Sequence, residues 1–442
     1  MRTLQYLLGA LFTLGAPAAF AAPQARWEAT ILFTHDLHSH FLPQDTEDGG
    51  QSGGYARLKT AIDREKAQHP DALLLDGGDF SIGSLIQTLY VDEGAELRTM
   101  GALGYDVGTI GNHEFDHKGT GFAQMLRSAV SSGDPLPKLV CANYRPADDN
   151  ADKLDIQRAM SAYGVTDTLL LERGGVTYGI FGLMGEEADS NAPMSGMEFE
   201  PAADAAERTV ASLEEELLSR NAPYFIICLS HSGTDGRGKG EDYELARRVD
   251  GIDVILSGHT HTTLMEPIVV NDTYIVSCGP YCGNLGSLTL TGVFGDSKKT
   301  LVDYHLTPID EQLPGDAGIA QIVEGWKAQV NSGYLARYGL TYDEVLTHTD
   351  YDLTTPASAV QENNGLGTLV SDAFLWADRT LNAAYADSPH TVSVTADGVL
   401  RANLPAGDLT AAMAFDVLSM GVGEDGTSGF PLVAARPDEA LP

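Results

Sequence analysis

Two patterns of apolar and polar positions alternate along the chain. Short, continuous apolar runs such as Leu73 to Leu75 and Tyr224 to Leu229 predict strands buried on both faces. Stretches with apolar residues every three or four positions predict helices. The clearest is Pro201 to Asn221, where Ala206, Val210, Leu213 and Leu217 fall on one side, proline stands at the start, and Asn221 and Pro223 mark the end. Tyr55 to about Gln68, Glu93 to Leu103, Gly119 to Ser131 and Glu241 to Val249 also read as helices. Further strands are expected at Ala29 to Phe33, Leu139 to Asn143, Val254 to Ser257, and at Thr168 to Leu171 and Val176 to Leu183, the last two joined by the hairpin turn Arg173-Gly174-Gly175. Strand-like runs continue at Ile268 to Val270, Tyr274 to Val276, Ser287 to Leu290 and Leu301 to Leu306. Asp148 to Met160 reads as a polar, irregular surface insertion. Strand and helix in this βαβ-like order predict an α/β fold.

Past these runs, Asp316 to Ser332 is helical, with Ile319, Ile322, Val323, Trp326 and Val330 apolar, and has no strand partner. It reads as a connector between domains. Gly365 to Arg379 is amphipathic, and Thr391 to Thr395 reads as a strand.

The points where apolar runs stop carry the chemistry. Gly111-Asn112-His113-Glu114-Phe115-Asp116 follows the run Val107 to Ile110 and brings a neutral oxygen, an imidazole and carboxylates together. Asn112 can bind a metal without adding charge, His113 can meet a substrate oxygen, and Asp116 is near enough to hold that ring. Taken alone, the hexapeptide also fits a polar loop with a satisfied histidine. Ala29 to Phe33 ends in Thr34-His35-Asp36-Leu37-His38-Ser39-His40. On an extended segment Asp36 and His38 share a face and can grip one metal, with His35 and His40 left as structural or solvated. Gly77 and Gly78 let Asp79 project from the next strand end, whereas Asp76 suits a turn that caps the following helix. Tyr224 to Leu229 leads to His231, and Val254 to Ser257 leads to Gly258-His259-Thr260-His261. Gly233 to Lys239 fits the start of a phosphate-binding P-loop, but Gly240 replaces the metal-binding hydroxyl and Glu241-Asp242 would repel phosphate at the helix start. The P-loop is rejected.

Length and charge narrow the choices. A chain of 442 residues is expected to form two domains. With 62 acidic and 27 basic residues the net charge is -35, which argues against binding nucleic acid or anionic membrane and requires a local positive centre for any anionic substrate. Met1-Arg2, the apolar run Leu7 to Phe20 and the cleavage pattern Ala19-Phe20-Ala21 read as a signal peptide over residues 1–21. Export, to the periplasm or outside the cell, is expected, with no membrane span and no protein partner evident. Export permits disulfides, and Cys278 and Cys282 flank a turn that would let them bridge. Cys141 and Cys228 read as buried thiols.

Together the strand ends offer Asp36, His38, Asp79, Asn112, His231, His259 and His261. This mixture of nitrogen and oxygen donors suits manganese, zinc, iron or cobalt. Seven ligands are too many for one ion and suit two that share Asp79. Two cations about 3.5 to 4 Å apart can hold a bridging hydroxide and both oxygens of an in-line displacement. Only Asp36 and Asp79 are anionic, so two divalent ions leave the site about two charges positive.

These motifs, Asp36-x-His38, Gly78-Asp79, Gly111 to Asp116, His231 and Gly258 to His261, resemble those of the secreted 5′-nucleotidase and UDP-sugar hydrolase family of calcineurin-like metallophosphoesterases. The resemblance implies one metal on Asp36, His38, Asp79 and His261, and another on Asp79, Asn112, His231 and His259. It implies that His113, oriented by Asp116, stabilises the transferring phosphoryl group or protonates the leaving alcohol. It also implies a two-sheet α/β sandwich with metals at strand ends over residues 22–310, a helical linker over 311–345 and a C-terminal substrate domain over 346–442. Gln361 to Ala373 and Gly398-Val399-Leu400-Arg401 resemble that domain's markers, which makes Arg401, with Asn112, a candidate substrate contact. Ser419-Met420 stands where some members carry proline and phenylalanine, and the chain stops at Pro442, so a reduced or incomplete domain is expected. The implied activity is hydrolysis of nucleoside 5′-monophosphates, with UDP-sugars or 2′,3′-cyclic nucleotides as alternative substrates. A protein that binds nucleotide or metal without turnover is the alternative of another class.

Overall fold

A computed structural model describes residues 26–46, 49–147, 149–293, 298–354, 365–381, 392–395 and 399–419. The leader 1–21, Gln361 to Asn364, Thr391, Gly398 and Met420 lie outside the described residues.

The apolar runs form two six-stranded sheets. One has the order Lys299–Pro308, Asn284–Val293, Arg26–Thr34, Leu73–Asp76, Val107–Gly108, Lys138–Leu139. Its last four strands are parallel, and the hairpin Asn284–Val293 with Lys299–Pro308 adds antiparallel to Arg26–Thr34. The other has the order Ile268–Val270, Thr273–Val276, Val254–Ser257, Tyr224–His231, Val176–Met184, Thr168–Arg173, with antiparallel strands only at its two edges.

Successive strand residues face opposite ways, and here both faces are buried. Ile31, Phe33, Leu73 and Leu75 of the first sheet meet Ile180, Phe225, Ile227, Leu229, Val254 and Leu256 of the second in one core. Their neighbours Leu32 and Leu74 point outward into the helices Tyr55–Gln68, Ala95–Leu103 and Lys118–Ser132. Phe181, Ile226, Cys228 and Ile255 pack against Ala202–Ser219 and Glu241–Arg248. The layers therefore run helix, sheet, sheet, helix, and the parallel strands of both sheets bring their C-terminal ends to one rim.

Several segments differ from the expectation. Ala151–Tyr163 is a helix, capped where the Asn150 side chain accepts the Lys153 N–H and buried through Ile156, Ala159 and Met160. Its many charged residues obscure that stripe in the sequence. The helix expected from Glu93 is interrupted by Gly94 in a left-handed conformation and resumes as Ala95–Leu103. Of the expected strand Leu139 to Asn143 only Leu139 joins the sheet, in the two-residue strand Lys138–Leu139, while the Asn143 side chain pins the backbone of Met184. All four cysteines are buried and free, so the Cys278–Cys282 bridge is not formed. Burial pushes both of those thiols well above the usual thiol range in pKa, which keeps them protonated.

Ala317–Gly333 buries Ile319, Val323, Trp326 and Val330 against the first helical layer, and the Trp326 indole N–H donates to Thr99 Oγ1 at 2.9 Å. Beyond it, Leu366, Val370, Leu400, Leu404, Leu409 and Val417 form a small separate core around the antiparallel pair Val345–Thr349 and Gly407–Thr410.

Candidate metal centre

At the common rim, the loops after Arg26–Thr34 and Leu73–Asp76 run side by side. The Asp36 N–H donates to the Gly78 carbonyl at 2.9 Å, and the His38 N–H donates to the Asp79 carbonyl at 3.0 Å. Asp36, His38, Asp79, His259 and His261 all have left-handed backbones, with φ of 49, 47, 52, 72 and 54. Asp36 and His38 therefore converge through a tight turn and not as alternate residues of an extended strand. Gly111 is required here, because a Cβ on it would collide with Asp79 Oδ1.

Two clusters result. Asp36, His38 and His261 form one, and Asp79, His231 and His259 form the other. In the first, Asp36 Oδ1 is 3.4 Å from His261 Nε2 and 3.7 Å from His38 Nε2, and the two imidazole Nε2 atoms are 3.0 Å apart. In the second, His231 Nε2 lies 3.0 Å from Asp79 Oδ2 and 3.2 Å from Asn112 Oδ1. Asp79 Oδ2 is also 3.9 Å from His38 Nε2, so one carboxylate oxygen faces both clusters.

Hydrogen bonds behind the clusters set the tautomers. His38 Nδ1 donates to the Ile82 carbonyl at 2.8 Å and His231 Nδ1 to the Gly77 carbonyl at 2.9 Å, which turns each Nε2 lone pair toward the centre. Asp36 Oδ1 is buried and has no hydrogen-bond partner among the described residues. A buried anionic oxygen aimed at converging lone pairs is costly unless a cation joins them, so the donor set fits a divalent metal ion.

The electrostatics match. Burial alone would raise Asp79, but His231 and His113 hold it below the usual carboxylate range. Burial likewise opposes ionisation of Asp36, and His261, His35 and His38 outweigh it. Burial and the nearby Asp79 charge push Glu114 up to about 8. Burial disfavours a charged His113, yet Asp116 and Asp79 raise its pKa to about 9. The His113 Nδ1 lies 3.1 Å from Asp116 Oδ2, and its backbone N–H donates to Asp79 Oδ1 at 2.8 Å.

A cavity of about 450 Å³ opens over this centre, lined by Asp79, Asn112, His113, Asp116, Asn191, His259, Thr260, His261 and Arg401. Every residue singled out from the sequence as a ligand, a proton donor or a substrate contact thus lies in the two clusters or on this cavity. Of the two roles expected for His35 and His40, the structural one holds: both are buried, His35 Nδ1 donates to Asp36 Oδ2 at 2.5 Å, and His40 Nδ1 donates to the His38 carbonyl at 2.7 Å. Other positions depart from expectation. Asp76 caps no helix; it is buried, accepts from Thr34 Oγ1 and the Gly78 N–H, and is raised by burial to about 7. Glu114, to which the sequence assigns no role, accepts the N–H groups of Asp79, Ser81 and Gly111 and so ties two of the loops together. Its place inside the hexapeptide is the available signal. Near the rejected P-loop, the Glu241 carboxylate accepts from the Glu186 N–H, so no phosphate cradle forms.

Known proteins resemble this chain in sequence and in fold. The calcineurin-like phosphoesterase family model matches residues 29–263. The chain is 27% identical to the trifunctional nucleotide phosphoesterase protein YfkN of Bacillus subtilis over 89% of its own length and 26% of that protein's. It is 30% identical to the 5′-nucleotidase of Bos taurus over 81% of its own length and 62% of the bovine one. The chain thus spans less than two thirds of either relative. The crystal structure of a 5′-nucleotidase precursor from Thermus thermophilus superposes with a TM-score of 0.69 at 25% identity, covering 89% of this chain and 74% of that one.

Proposed function

Because the chain belongs to the calcineurin-like phosphoesterase family of metal-dependent phosphoric ester hydrolases, we propose that it hydrolyses nucleoside 5′-monophosphates to nucleoside and phosphate. The observation that carries the reading is the pair of donor clusters flanking Asp79 Oδ2, which lies 3.0 Å from His231 and 3.9 Å from His38. Asp36, His38 and His261 would hold one divalent cation; Asn112, His231 and His259 would hold a second, with Asp79 shared. Bound there, the cations would supply positive charge to the phosphoryl oxygens and lower the pKa of an attacking water.

The protein's own groups do the rest. Asp116 fixes Nδ1 of His113, leaving Nε2 to donate a proton to the departing 5′-oxygen or to hold a phosphoryl oxygen. Asn112 and Arg401 border the same cavity and would orient the substrate. Asn112 adds no negative charge, which keeps the centre attractive to phosphate inside a chain of net charge -35.

A second reading keeps the alternative substrates that the sequence resemblance implies, UDP-sugars or 2′,3′-cyclic nucleotides, at the same centre; the Bacillus relative, named a trifunctional nucleotide phosphoesterase, is consistent with more than one nucleotide substrate. Export by way of the 1–21 leader is part of the proposal and is tested by sequencing the N-terminus of the secreted protein. Phosphate release from AMP, UDP-glucose and a 2′,3′-cyclic nucleotide, with manganese and again after chelation, tests the activity. Chelation should abolish turnover, and Asp79→Asn should lower the AMP rate by about 100-fold or more. An Asp79→Asn protein as fast as its parent contradicts the proposal.

A further inference from the structure

Tyr281 sits in the turn between Cys278 and Cys282, where it and Cys282 both adopt left-handed backbones at φ 60 and 61. Such a conformation is unfavourable for a non-glycine residue, so backbone preference does not account for a tyrosine here. Its contacts do. The ring stacks on His40 at a centroid separation of 4.5 Å, meets His261 edge-on at 5.0 Å and lies 5.5 Å from His38. The Tyr281 N–H donates to the Asp36 carbonyl at 2.8 Å. One residue therefore touches every member of the first cluster.

The cluster needs that support unevenly. His38 is tied from behind through Nδ1 to the Ile82 carbonyl. His261 is more exposed than the other histidine of its cluster, and its polar contacts with His38 and Asp36 are both made by Nε2. The His261 ring is packed edge-on between two rings, Tyr281 and His38, each at a centroid separation of 5.0 Å. The turn is itself anchored, because His35 Nε2 accepts the N–H groups of Cys278 at 2.9 Å and Gly279 at 3.0 Å. At its other end, burial raises the Tyr281 hydroxyl in pKa and the neighbouring Arg401 guanidinium, which borders the cavity, opposes that rise.

We propose that Tyr281 is a positioning residue that acts at both ends of one side chain: its ring sets the imidazoles of the first metal cluster, and its hydroxyl sets Arg401 toward the substrate. The hydroxyl half rests on the phosphoester-hydrolase reading given above; the ring half requires only that the cluster binds metal. A flexible arginine loses rotamer freedom when it grips a ligand, so an arginine already held in place binds more tightly.

The test uses the full chain and four variants: Tyr281→Phe, Tyr281→Leu, Arg401→Ala and the double variant Tyr281→Phe with Arg401→Ala. Manganese is titrated by calorimetry without substrate, and AMP hydrolysis is then measured. Tyr281→Leu should weaken one manganese site by about 10-fold or more, in the range seen when groups behind metal ligands are removed, and Tyr281→Phe should restore it. Tyr281→Phe should raise KM for AMP roughly fivefold with little change in kcat, and that effect should vanish in the Arg401→Ala background. Manganese binding by Tyr281→Leu that matches the parent overturns the ring half. A KM effect of Tyr281→Phe that persists without Arg401 overturns the hydroxyl half. If Tyr281→Leu does not fold, a manganese affinity lost in Tyr281→Phe overturns the ring half, since that variant keeps the ring. A parent that binds manganese but leaves AMP intact counts against the nucleotidase reading alone; the manganese titrations still decide the ring, and AMP binding then replaces KM.

Discussion

At the scale of residues, the candidate ligands that the structure brings together are legible because polar side chains end otherwise apolar runs. Their geometry is not. Asp36 and His38 are expected to share the face of an extended strand, but both are left-handed, as are Asp79, His259 and His261. Nothing in a sequence distinguishes a histidine at φ 54 from one in a strand, and the strain, roughly 1–3 kcal/mol each, persists where surrounding contacts over-determine it. The ladder of hydrogen bonds between the two parallel loops supplies those contacts. His113 differs from the candidate ligands in kind: its Nδ1 is held by Asp116, and the role proposed for it concerns the proton. His113→Ala should lower kcat for AMP by about 10²- to 10⁴-fold while manganese uptake, followed by metal analysis, stays as in the parent. Loss of bound metal in that variant would make His113 a structural part of the centre.

At the scale of elements, the short helix Ala411–Val417 shows how the C-terminal part engages the first helical layer. Asp416 Oδ1 is buried without a partner among the described residues, and burial, opposed by the nearby Leu85 backbone, raises the carboxyl to about 8. The unfolded value is near 3.9, so between about pH 4 and 8 the folded state holds a proton that the unfolded state has released. This contribution is complete below about pH 4 and is lost as pH rises through 8. Asp416→Asn should therefore flatten the decline of urea stability across that window, and an unchanged pH slope would contradict the assignment. Periodicity cannot place the same helix, because it is only seven residues long. Ala151–Tyr163 escapes the sequence for another reason: charged residues separate Ile156, Ala159 and Met160, and only the Asn150 cap and the packing on Lys118–Ser132 reveal the helix. The long apolar strands, by contrast, are legible close to their observed limits, because burial on both faces leaves a continuous signal.

At the scale of the whole molecule, two facts pull against each other: a net charge of -35 and a centre with only two anionic ligands among its proposed donors. The overall field repels a nucleotide at long range, while bound cations attract it at short range. Since the Debye length is about 10 Å at 0.1 M salt, moderate ionic strength screens the first effect more than the second. Where encounter limits the rate, kcat/KM for AMP should rise with added inert salt before it falls, and a monotonic fall would mean that local charge alone governs arrival. The layered fold makes the centre possible, since parallel strands from two sheets end at one rim and bring distant parts of the chain within bonding distance. That shared centre is the central claim, and anomalous scattering from crystals soaked in manganese tests it most directly. The account predicts two peaks about 3.5 to 4 Å apart, one beside Asp36, His38 and His261, the other beside Asn112, His231 and His259, with Asp79 between them; a single peak, or manganese bound elsewhere, would contradict it.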